Sequence, residues 1–390
     1  MRKKEVNSIR VPVYRDSGFE LDDALTTATA FEKEKEHPRE PEKYIYSRYR
    51  NPTVVSAEEE IMKVEGCKWA LLTQSGMSAI DIALPIFQNG RETRPWLFFN
   101  EIYGGTISFV ENILKQRRGI DASYFNPSGE EYNLEEFEKE LKRLKPQVVY
   151  IESISNPLVL VADVASVAAL AKQYGAIVII DNTFATPWLL KPLETGADLV
   201  IHSATKYFSG HGNLTAGVIC GNDSQLMKSA IEYRKFVGHM ISPDDAYRLQ
   251  TQLKTFKLRF PRQCENAMKL ALFLENSPII KKVWYPGLES HATHGIAKRM
   301  FESKGYGAMM TFDFDGKDSS EKRNRRDAFI KLVSGSIKLI PTLGDAETIL
   351  MPVEAVWGTK YPEPGMIRLS IGFEEYNELE TVVRMALESL

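Results

Sequence analysis

A single lysine, Lys206, separates an apolar segment from a glycine-rich turn in the stretch DLVIHSATKYFSGHGNLTAG of residues 198–217. The β-branched, apolar residues 199–201 predict a strand, and the small and hydroxylic residues after them predict a loop that begins just before Lys206. Upstream, the continuous apolar run 176–180 ends in Asp181, the pattern of a strand buried on both faces of a parallel sheet. Because ligands of open α/β sheets bind outside the carboxyl ends of the strands, we expect Lys206 and Asp181 to share one crevice.

An amine and a carboxylate in one partly dry crevice suit pyridoxal phosphate. The lysine amine forms a Schiff base with the cofactor, and the acid holds the pyridine nitrogen protonated, so that the ring accepts electrons. Taken singly, Lys206 is equally compatible with a solvated loop cation, and Asp181 with a turn or capping residue.

A phosphate site is predicted where residues 68–73, read as a strand, turn through Ser75 into a helix over 75–84. Such a turn points the free N–H groups of Gly76 and Met77 and the positive end of the helix dipole above the sheet. Ser203 and Thr205 would add hydroxyl groups from the neighbouring loop. Ordinary helix capping by Ser75 is the alternative.

A series of motifs along nearly the whole chain carries a family resemblance. They are Tyr46-Ser47-Arg48 with Asn51-Pro52-Thr53, Ser75-Gly76-Met77, Tyr103-Gly104-Gly105-Thr106, Asp181-Asn182-Thr183, Ser203-Ala204-Thr205-Lys206 and Arg368-Leu369-Ser370. In this order they resemble the cystathionine γ-synthase, cystathionine γ-lyase and methionine γ-lyase family of Cys/Met metabolism enzymes, which use pyridoxal 5'-phosphate.

The resemblance implies roles for individual residues. Lys206 and Tyr103 would be catalytic, with the Tyr103 ring on the face of the pyridine ring, although a core aromatic is the commoner fate of a tyrosine. Asn156 would bond the ring hydroxyl oxygen on the substrate side, and Arg368 would grip the substrate α-carboxylate. The cofactor-binding set is Tyr46, Arg48, Gly76, Met77, Tyr103, Asp181, Ser203, Thr205 and Lys206; the substrate-binding set is Asn156, Thr342 and Arg368; no metal is expected.

Tyr46 and Arg48 stand two residues apart, and in an extended segment they would project to the same side. An arginine fork grips phosphate bidentately, and a neighbouring tyrosine can bond the same group. The resemblance implies that this arm reaches the active site of a neighbouring subunit. We therefore expect a homodimer, commonly within a homotetramer, with shared active sites.

Strand and helix patterns alternate from about residue 68 to 220, which predicts an α/β fold with a mostly parallel sheet flanked by helices. The resemblance implies the fold-type I transferase architecture of pyridoxal phosphate enzymes. We expect an N-terminal arm over 1–52, a large cofactor-binding domain over 53–235 and a smaller C-terminal α/β domain over 236–390. The latter would begin with a long helical stretch over 244–274. The glycine-rich motifs of dinucleotide and nucleoside triphosphate sites are missing from the sequence.

The composition is that of a globular protein, with 390 residues, 43% hydrophobic residues and a net charge of −3. Nothing in it predicts a nucleic-acid or membrane partner, and a charged N-terminus without an apolar run favours the cytoplasm. The three cysteines are too scattered for a disulfide scaffold or a metal site. His291 and His294 have a His-x-x-His spacing, but they lack accompanying ligands and are interpreted as loop histidines.

Departures from the family concern the substrate pocket. Pro341 stands where cystathionine-processing members carry a glutamate that can meet the distal amino group, and Gly105 stands where methionine γ-lyases usually carry a cysteine. The usual His-Pro segment followed by Thr-His becomes 351–357, beginning at Met351, and a usual aspartate becomes Asn213. We expect a pocket wall that is bulkier and more apolar than usual, and an atypical substrate side chain.

The expected reaction is γ-elimination or γ-replacement on a sulfur amino acid or an activated homoserine. β-Elimination of a C–S bond, an aminotransferase on the same fold and a catalytically silent binding protein are the alternatives. The motifs do not encode whether a second nucleophile enters, so elimination and replacement stay open.

Overall fold

The N-terminal part of the chain forms two helices before the first strand begins. The computed structural model describes residues 8–36, 39, 41–88 and 92–390. Helix α1 spans Ala24–Glu36 and α2 spans Pro52–Glu65. The side chain of Asn51 accepts hydrogen bonds from the first N–H groups of α2, and Pro52 occupies a position where its missing N–H costs nothing. The Asn-Pro-Thr motif therefore starts a helix.

The first sheet has seven strands in the order β1-β7-β6-β5-β4-β2-β3. Strand β7 is antiparallel to both neighbours, and the remaining pairs are parallel. Most of the strand residues are buried, as expected for a sheet covered on both faces. The predicted, mostly parallel sheet is confirmed. Its strands are β1 (Trp69–Thr73), β2 (Trp96–Phe99), β3 (Ala122–Phe125), β4 (Val148–Glu152), β5 (Ile177–Asp181), β6 (Leu199–His202) and β7 (Gly217–Gly221).

Helices flank this sheet and connect its strands. In α6, Val164, Val167, Ala168 and Ala171 are buried on one face, the spacing typical of a helix that covers a sheet. The predicted domain boundary at residue 235 falls in the last turn of α8. These helices are α3 (Gly76–Ala83), α4 (Gly104–Phe109, continued by a π-helical segment over Val110–Lys115), α5 (Leu134–Leu144), α6 (Val164–Gln173), α7 (Thr186–Leu189) and α8 (Ser224–Val237).

The C-terminal part contains a second, five-stranded sheet in the order β10-β11-β12-β9-β8, antiparallel except between β10 and β11. Hydrophobic core clusters surround each of the two sheets. The strands are β8 (Ile280–Trp284), β9 (Met309–Phe314), β10 (Lys338–Leu339), β11 (Ile349–Pro352) and β12 (Met366–Ser370). The helices are α9 (Pro243–Leu253), α10 (Phe256–Glu275), α11 (His294–Phe301), α12 (Ser319–Val333), α13 (Glu354–Trp357) and α14 (Tyr376–Glu388).

The helical stretch predicted over 244–274 forms as two helices, because α9 ends at Leu253 and α10 begins at Phe256. Arg259 of α10 donates to the carbonyl of Gln252 at the end of α9 and to the carbonyls of Tyr207 and Phe208, each at 3.1 Å. The break thus lets one buried guanidinium tie both helices to the turn that carries Lys206. Both segments have helical periodicity, so the pattern alone did not reveal the interruption.

Among the described helices, none is both long enough and apolar enough to cross a lipid bilayer.

Candidate active site

A cavity of about 410 Å³ lies at the carboxyl ends of the parallel strands, between the first sheet and residues of the C-terminal part. Its position is the one expected for an open α/β sheet. The structure brings ten of the predicted site residues to its walls: Gly76, Met77, Tyr103, Asn156, Asp181, Ser203, Thr205, Lys206, Thr342 and Arg368.

Lys206 lies in a turn four residues beyond the end of β6. Its backbone N–H donates to the carbonyl of Ser203, and its carbonyl accepts the N–H of Gly210. Its Nζ atom donates a hydrogen bond of 2.7 Å to Oγ1 of Thr342. Burial, reinforced by the positive charge of Arg368, lowers the pKa of the Lys206 amine to about 8. The amine therefore loses its proton more readily than an ordinary lysine, and its neutral form can act as a nucleophile or base.

Asp181 ends β5, and its Oδ1 atom accepts hydrogen bonds from Thr183, 3.0 Å from the backbone N–H and 2.5 Å from the hydroxyl group. Burial raises the pKa of Asp181, and the two Thr183 donors oppose that shift. A cationic group beside this carboxyl would favour its ionised form. The protonated ring nitrogen of pyridoxal phosphate is such a group.

Glu152 is a functional candidate that sequence reasoning missed. It ends β4 directly opposite Asp181 of β5, and both side chains line the cavity. Its Oε1 atom accepts the backbone N–H of Tyr103 at 2.5 Å. Burial, followed by the charge of Asp181, raises the pKa of Glu152 well above its usual range, which favours the protonated form of this carboxyl. The signal was available, because Glu152 closes an apolar run just as Asp181 does.

A cradle of backbone N–H groups lies at the start of α3, where the sequence predicts a phosphate site. Ser75 caps the helix and accepts the N–H of Ser78, whereas within the described chain no acceptor is bonded to the N–H groups of Gly76 and Met77. A Cβ atom on residue 76 would come within 3.0 Å of Cβ of Ser203, so glycine is what lets the two segments approach. Unpaired N–H groups at a helix N-terminus beside a serine hydroxyl fit a phosphate group.

The Thr205 hydroxyl, expected to contribute to the phosphate site, is bonded within the protein instead. Thr205 lines the cavity, but its hydroxyl group donates to the carbonyl of Ala216 at 3.1 Å and accepts the N–H of the same residue at 2.9 Å. This pair of bonds joins the Lys206 turn to the residue before β7. In the structure Thr205 therefore holds the loop in place, and its hydroxyl proton is not directed to an anion.

Arg368 lies in β12 and is 4% exposed. Its guanidinium donates to Oδ1 of Asn156 at 3.1 Å and to the carbonyl of Thr342 at 3.0 Å, and it lies 5.5 Å from the centre of the Trp357 ring. Burial lowers the pKa of Arg368 to about 10, which leaves the group charged at neutral pH. A buried cation with donors to spare suits the carboxylate of an amino acid.

Tyr103 precedes α4, and its side chain is 50% exposed. A Cβ atom on residue 105 would lie 2.3 Å from Cε1 of the Tyr103 ring, so the ring occupies space that any side chain at position 105 would need. Gly105 itself does not line the cavity. Glycine in place of the usual cysteine at position 105 therefore affects the cavity by allowing this position of the Tyr103 ring.

The prediction that Tyr46 and Arg48 lie in an extended segment is wrong, because Tyr46 accepts the N–H groups of Tyr49 and Arg50 and begins a turn. The Arg48 guanidinium lies 5.3 Å from the ring centres of both Tyr46 and Tyr49 and donates to the carbonyl of Lys235. Neither Tyr46 nor Arg48 lines the cavity of its own chain.

The expectation of an apolar pocket wall is met at four positions, since Pro341, Met351, Val356 and Trp357 all line the cavity. The prediction that Asn213 belongs to the substrate pocket is wrong. This residue is exposed, outside the cavity lining, and its side-chain oxygen accepts a hydrogen bond of 2.9 Å from Gln252 of α9.

His291 and His294 are bonded to protein groups. His291 interacts with the carbonyl of Leu158 and with Thr293, and His294 with the carbonyl of Pro286. Burial lowers the pKa of His291 to about 4. Within the described residues, no cluster of potential metal ligands is found.

Comparison with known proteins agrees with this geometry. A family model described as "Cys/Met metabolism PLP-dependent enzyme" matches residues 1–388. The chain is 31% identical to cystathionine beta-lyase of Lactococcus lactis subsp. cremoris, over 99% of this chain and 95% of the relative. It is 33% identical to L-methionine gamma-lyase of Fusobacterium nucleatum subsp. polymorphum, over 100% and 95%. A crystal structure of cystathionine gamma synthase from Xanthomonas oryzae pv. oryzae, in complex with aminoacrylate and cysteine, is similar with a TM-score of 0.85 and 27% identity, over 98% of this chain and 93% of that one.

Proposed function

This chain belongs to the Cys/Met metabolism family of pyridoxal phosphate-dependent enzymes, and from that premise we propose that it eliminates a sulfur-bearing γ-substituent from an amino acid. The supporting observation is the Lys206 amine, whose pKa of about 8 places it ready to move protons in a cavity shared with Asp181 and Arg368. Replacement by a second nucleophile and elimination from the β-carbon use the same residues, and the experiment below separates γ-elimination from β-elimination.

The residues that would hold the cofactor occupy two ends of the cavity. The N–H groups of Gly76 and Met77 and the hydroxyl of Ser203 would bind its phosphate, and Asp181 would hold a proton on its ring nitrogen. Thr183 fixes the Asp181 carboxyl by two hydrogen bonds. When bound, pyridoxal phosphate supplies an electron-withdrawing ring that stabilises negative charge at the substrate α-carbon.

Arg368 would orient the substrate. Its guanidinium grips the α-carboxylate and so directs the α-carbon toward Lys206, while Asn156 and the carbonyl of Thr342 hold the arginine in place. The same charge also lowers the pKa of Lys206. One cation therefore both positions the substrate and adds to the lowering of the pKa of the base.

Lys206 Nζ would take the α-proton, and a further proton loss at the β-carbon lets the γ-substituent leave. The Thr342 hydroxyl group, 2.7 Å from Nζ, keeps the amine directed into the cavity. Tyr103, whose backbone is held by Glu152, would give a proton to the departing sulfur. These steps assign a base, an acid and an orienting cation to three different elements of the chain.

The decisive experiment is product analysis with holoenzyme, using methionine and S-methylcysteine as matched thioethers. Elimination at the γ-carbon yields 2-oxobutanoate, ammonia and methanethiol from methionine, whereas β-elimination yields pyruvate from S-methylcysteine. Lys206→Ala is expected to abolish both the visible absorption band of the lysine-bound cofactor and the release of thiol. An active Lys206→Ala variant, or keto acid formed without thiol release as in transamination, would contradict the proposal.

We also propose that two copies share each active site. Tyr46 is 40% exposed and Arg48 lies away from its own cavity, beside the end of α8, where Phe236 is 72% exposed. An arginine and tyrosines clustered next to an exposed aromatic side chain suit an interface with a second copy. The phosphate grip expected of Arg48 would then act in the partner's cavity. The cytoplasmic location and the three-part domain division stay predictions.

A further inference from the structure

One side of the cavity is formed by four apolar residues, Pro341, Met351, Val356 and Trp357, which we call the apolar wall. Met351 pairs with Arg368 in the register of β11 and β12, so the wall begins beside the group assigned to the substrate carboxylate. Trp357 lies against the same guanidinium. The wall is therefore adjacent to the place where the substrate side chain must extend.

The charged groups that line the cavity already have polar partners of their own. Among the described lining residues, the carboxylates and cations are Glu152, Asp181, Lys206 and Arg368. Each has a close partner: the Tyr103 backbone, Thr183, Thr342 and Asn156, respectively. Arg368 is the one of them that the wall touches, and it is assigned to the α-carboxylate, so the wall offers no charged partner to the distal end of a substrate.

Glu354 stands on the segment between Met351 and Trp357, but it does not face the substrate side of the cavity. Two arginines of α12 bind its side chain instead. Its carboxylate accepts hydrogen bonds of 2.6 Å from Arg323 and 2.7 Å from Arg326, and these arginines lower its pKa to about 2. Glu354 does not line the cavity.

Contacts with the first sheet hold the wall in place. The Trp357 ring meets the ring of Tyr361 edge to face at 6.4 Å, and the Tyr361 hydroxyl donates to the buried carboxylate of Glu101. Lys360 donates to the carbonyl of Asn100 at 3.0 Å. These contacts fasten the wall segment to the end of β2 in the first sheet, so the apolar surface is preformed.

We infer that the apolar wall selects amino-acid thioethers whose sulfur carries an uncharged alkyl or aryl group larger than methyl. This inference rests on the proposed function and adds the substrate class. Cleavage breaks the carbon–sulfur bond on the amino-acid side, and the sulfur leaves with one proton as an alkane- or arenethiol. One water molecule then converts the remaining carbon skeleton to a keto acid and ammonia.

The test is equilibrium binding of amino acids that cannot be cleaved, measured by titration calorimetry with holoenzyme. The apolar series runs from 2-aminohexanoate to 2-aminononanoate, with 2-aminoheptanedioate and lysine as analogues that carry a distal charge. Each added methylene is expected to tighten binding about fourfold while it is being buried. The charged analogues are expected to bind roughly 10- to 100-fold more weakly than apolar analogues of similar length.

Two variants test the wall itself. Val356→Thr with Trp357→His is expected to flatten the dependence on chain length, and Pro341→Glu to strengthen lysine binding at least about tenfold by adding a partner for its ammonium group. Leu332→Thr, at an exposed apolar residue of α12 outside the cavity, is the control and should leave the series unchanged.

Binding that does not change with chain length in the unmodified protein, or charged analogues that bind as tightly as apolar ones, would overturn the inference. Failure of the proposed function has a different signature. In that case the apolar series would still bind with the expected selectivity, but no thioether would release a thiol.

Discussion

Replacing Lys206 by methionine is expected to stabilise the cofactor-free protein at pH 7. Methionine has a similar length and no charge, so it fits the same space without the cost of burying a cation. Lys206 is kept in a site that lowers its pKa from 10.5 to about 8, and the same burial makes the charged form unfavourable in the folded chain. Removing the charge should therefore recover stability that is given up for reactivity.

The expected gain follows from proton linkage. A shift of about 2.5 units corresponds to about 3 kcal/mol, because one unit is equivalent to about 1.36 kcal/mol. The variant also loses the hydrogen bond to Thr342, at a cost of about 1 kcal/mol, which leaves a net gain of roughly 2 kcal/mol. Because the folded-state pKa is lowered, the penalty is complete below pH 8 and disappears as the pH rises to about 10.5.

The assay is urea unfolding of the cofactor-free proteins at intervals from pH 7 to pH 10.5. The stability difference between Lys206→Met and the unmodified chain should shrink with rising pH and change sign near about pH 10. Lys139→Met, at an exposed position of α5, is the control and should show a small, constant difference. Parallel stability curves for Lys206→Met and the unmodified chain, or a variant less stable at pH 7, would refute the reasoning.

Two further predictions concern the cavity. Glu152→Gln keeps an acceptor for the Tyr103 N–H and mimics a protonated carboxyl, so it should retain activity within a few-fold and an unchanged pH profile, whereas Glu152→Ala should lose about 10- to 100-fold. Steady-state rates from pH 6 to 9 check this, and equal losses in both variants would show that Glu152 does not act as a neutral acceptor. If two copies share each site, mixing inactive Arg48→Ala with inactive Lys206→Ala should restore about a quarter of the full activity, since half of the random dimers then carry one intact site. Mass spectrometry verifies subunit exchange, and exchange without recovered activity argues against a shared site.

Much of the site was predictable because its residues stand at strand ends. Apolar runs that close on Asp181, and a strand followed by Ser203 and Lys206, are local patterns, and parallel strands bring their carboxyl ends to one edge. Ser75 and Gly76 are likewise readable as a strand-to-helix turn. Glu152 obeyed the same rule and was missed because it carries no motif of its own.

Other features depended on contacts between distant segments. The interruption between α9 and α10 is held by Arg259, which bonds carbonyls about fifty residues upstream. Asn213 was predicted to belong to the pocket, but its side chain is bonded to Gln252 of α9. The Thr205 hydroxyl was predicted to bind phosphate, but it donates its hydrogen bond to the carbonyl of Ala216. Periodicity describes one segment at a time and carries no information about such partners.

The sequence by itself determined the family, the succession of strands and helices in the first sheet, and the strand ends near which Asp181 and Lys206 lie, because these are encoded in short runs of neighbouring residues. Only the tertiary structure decided that Glu152 lies beside Asp181, that Glu354 is turned away from the cavity and that Trp357 lies against Arg368. Those relations join side chains of separate segments, within the first sheet or within the C-terminal part, and their free energy depends on burial and pairing that no single segment encodes.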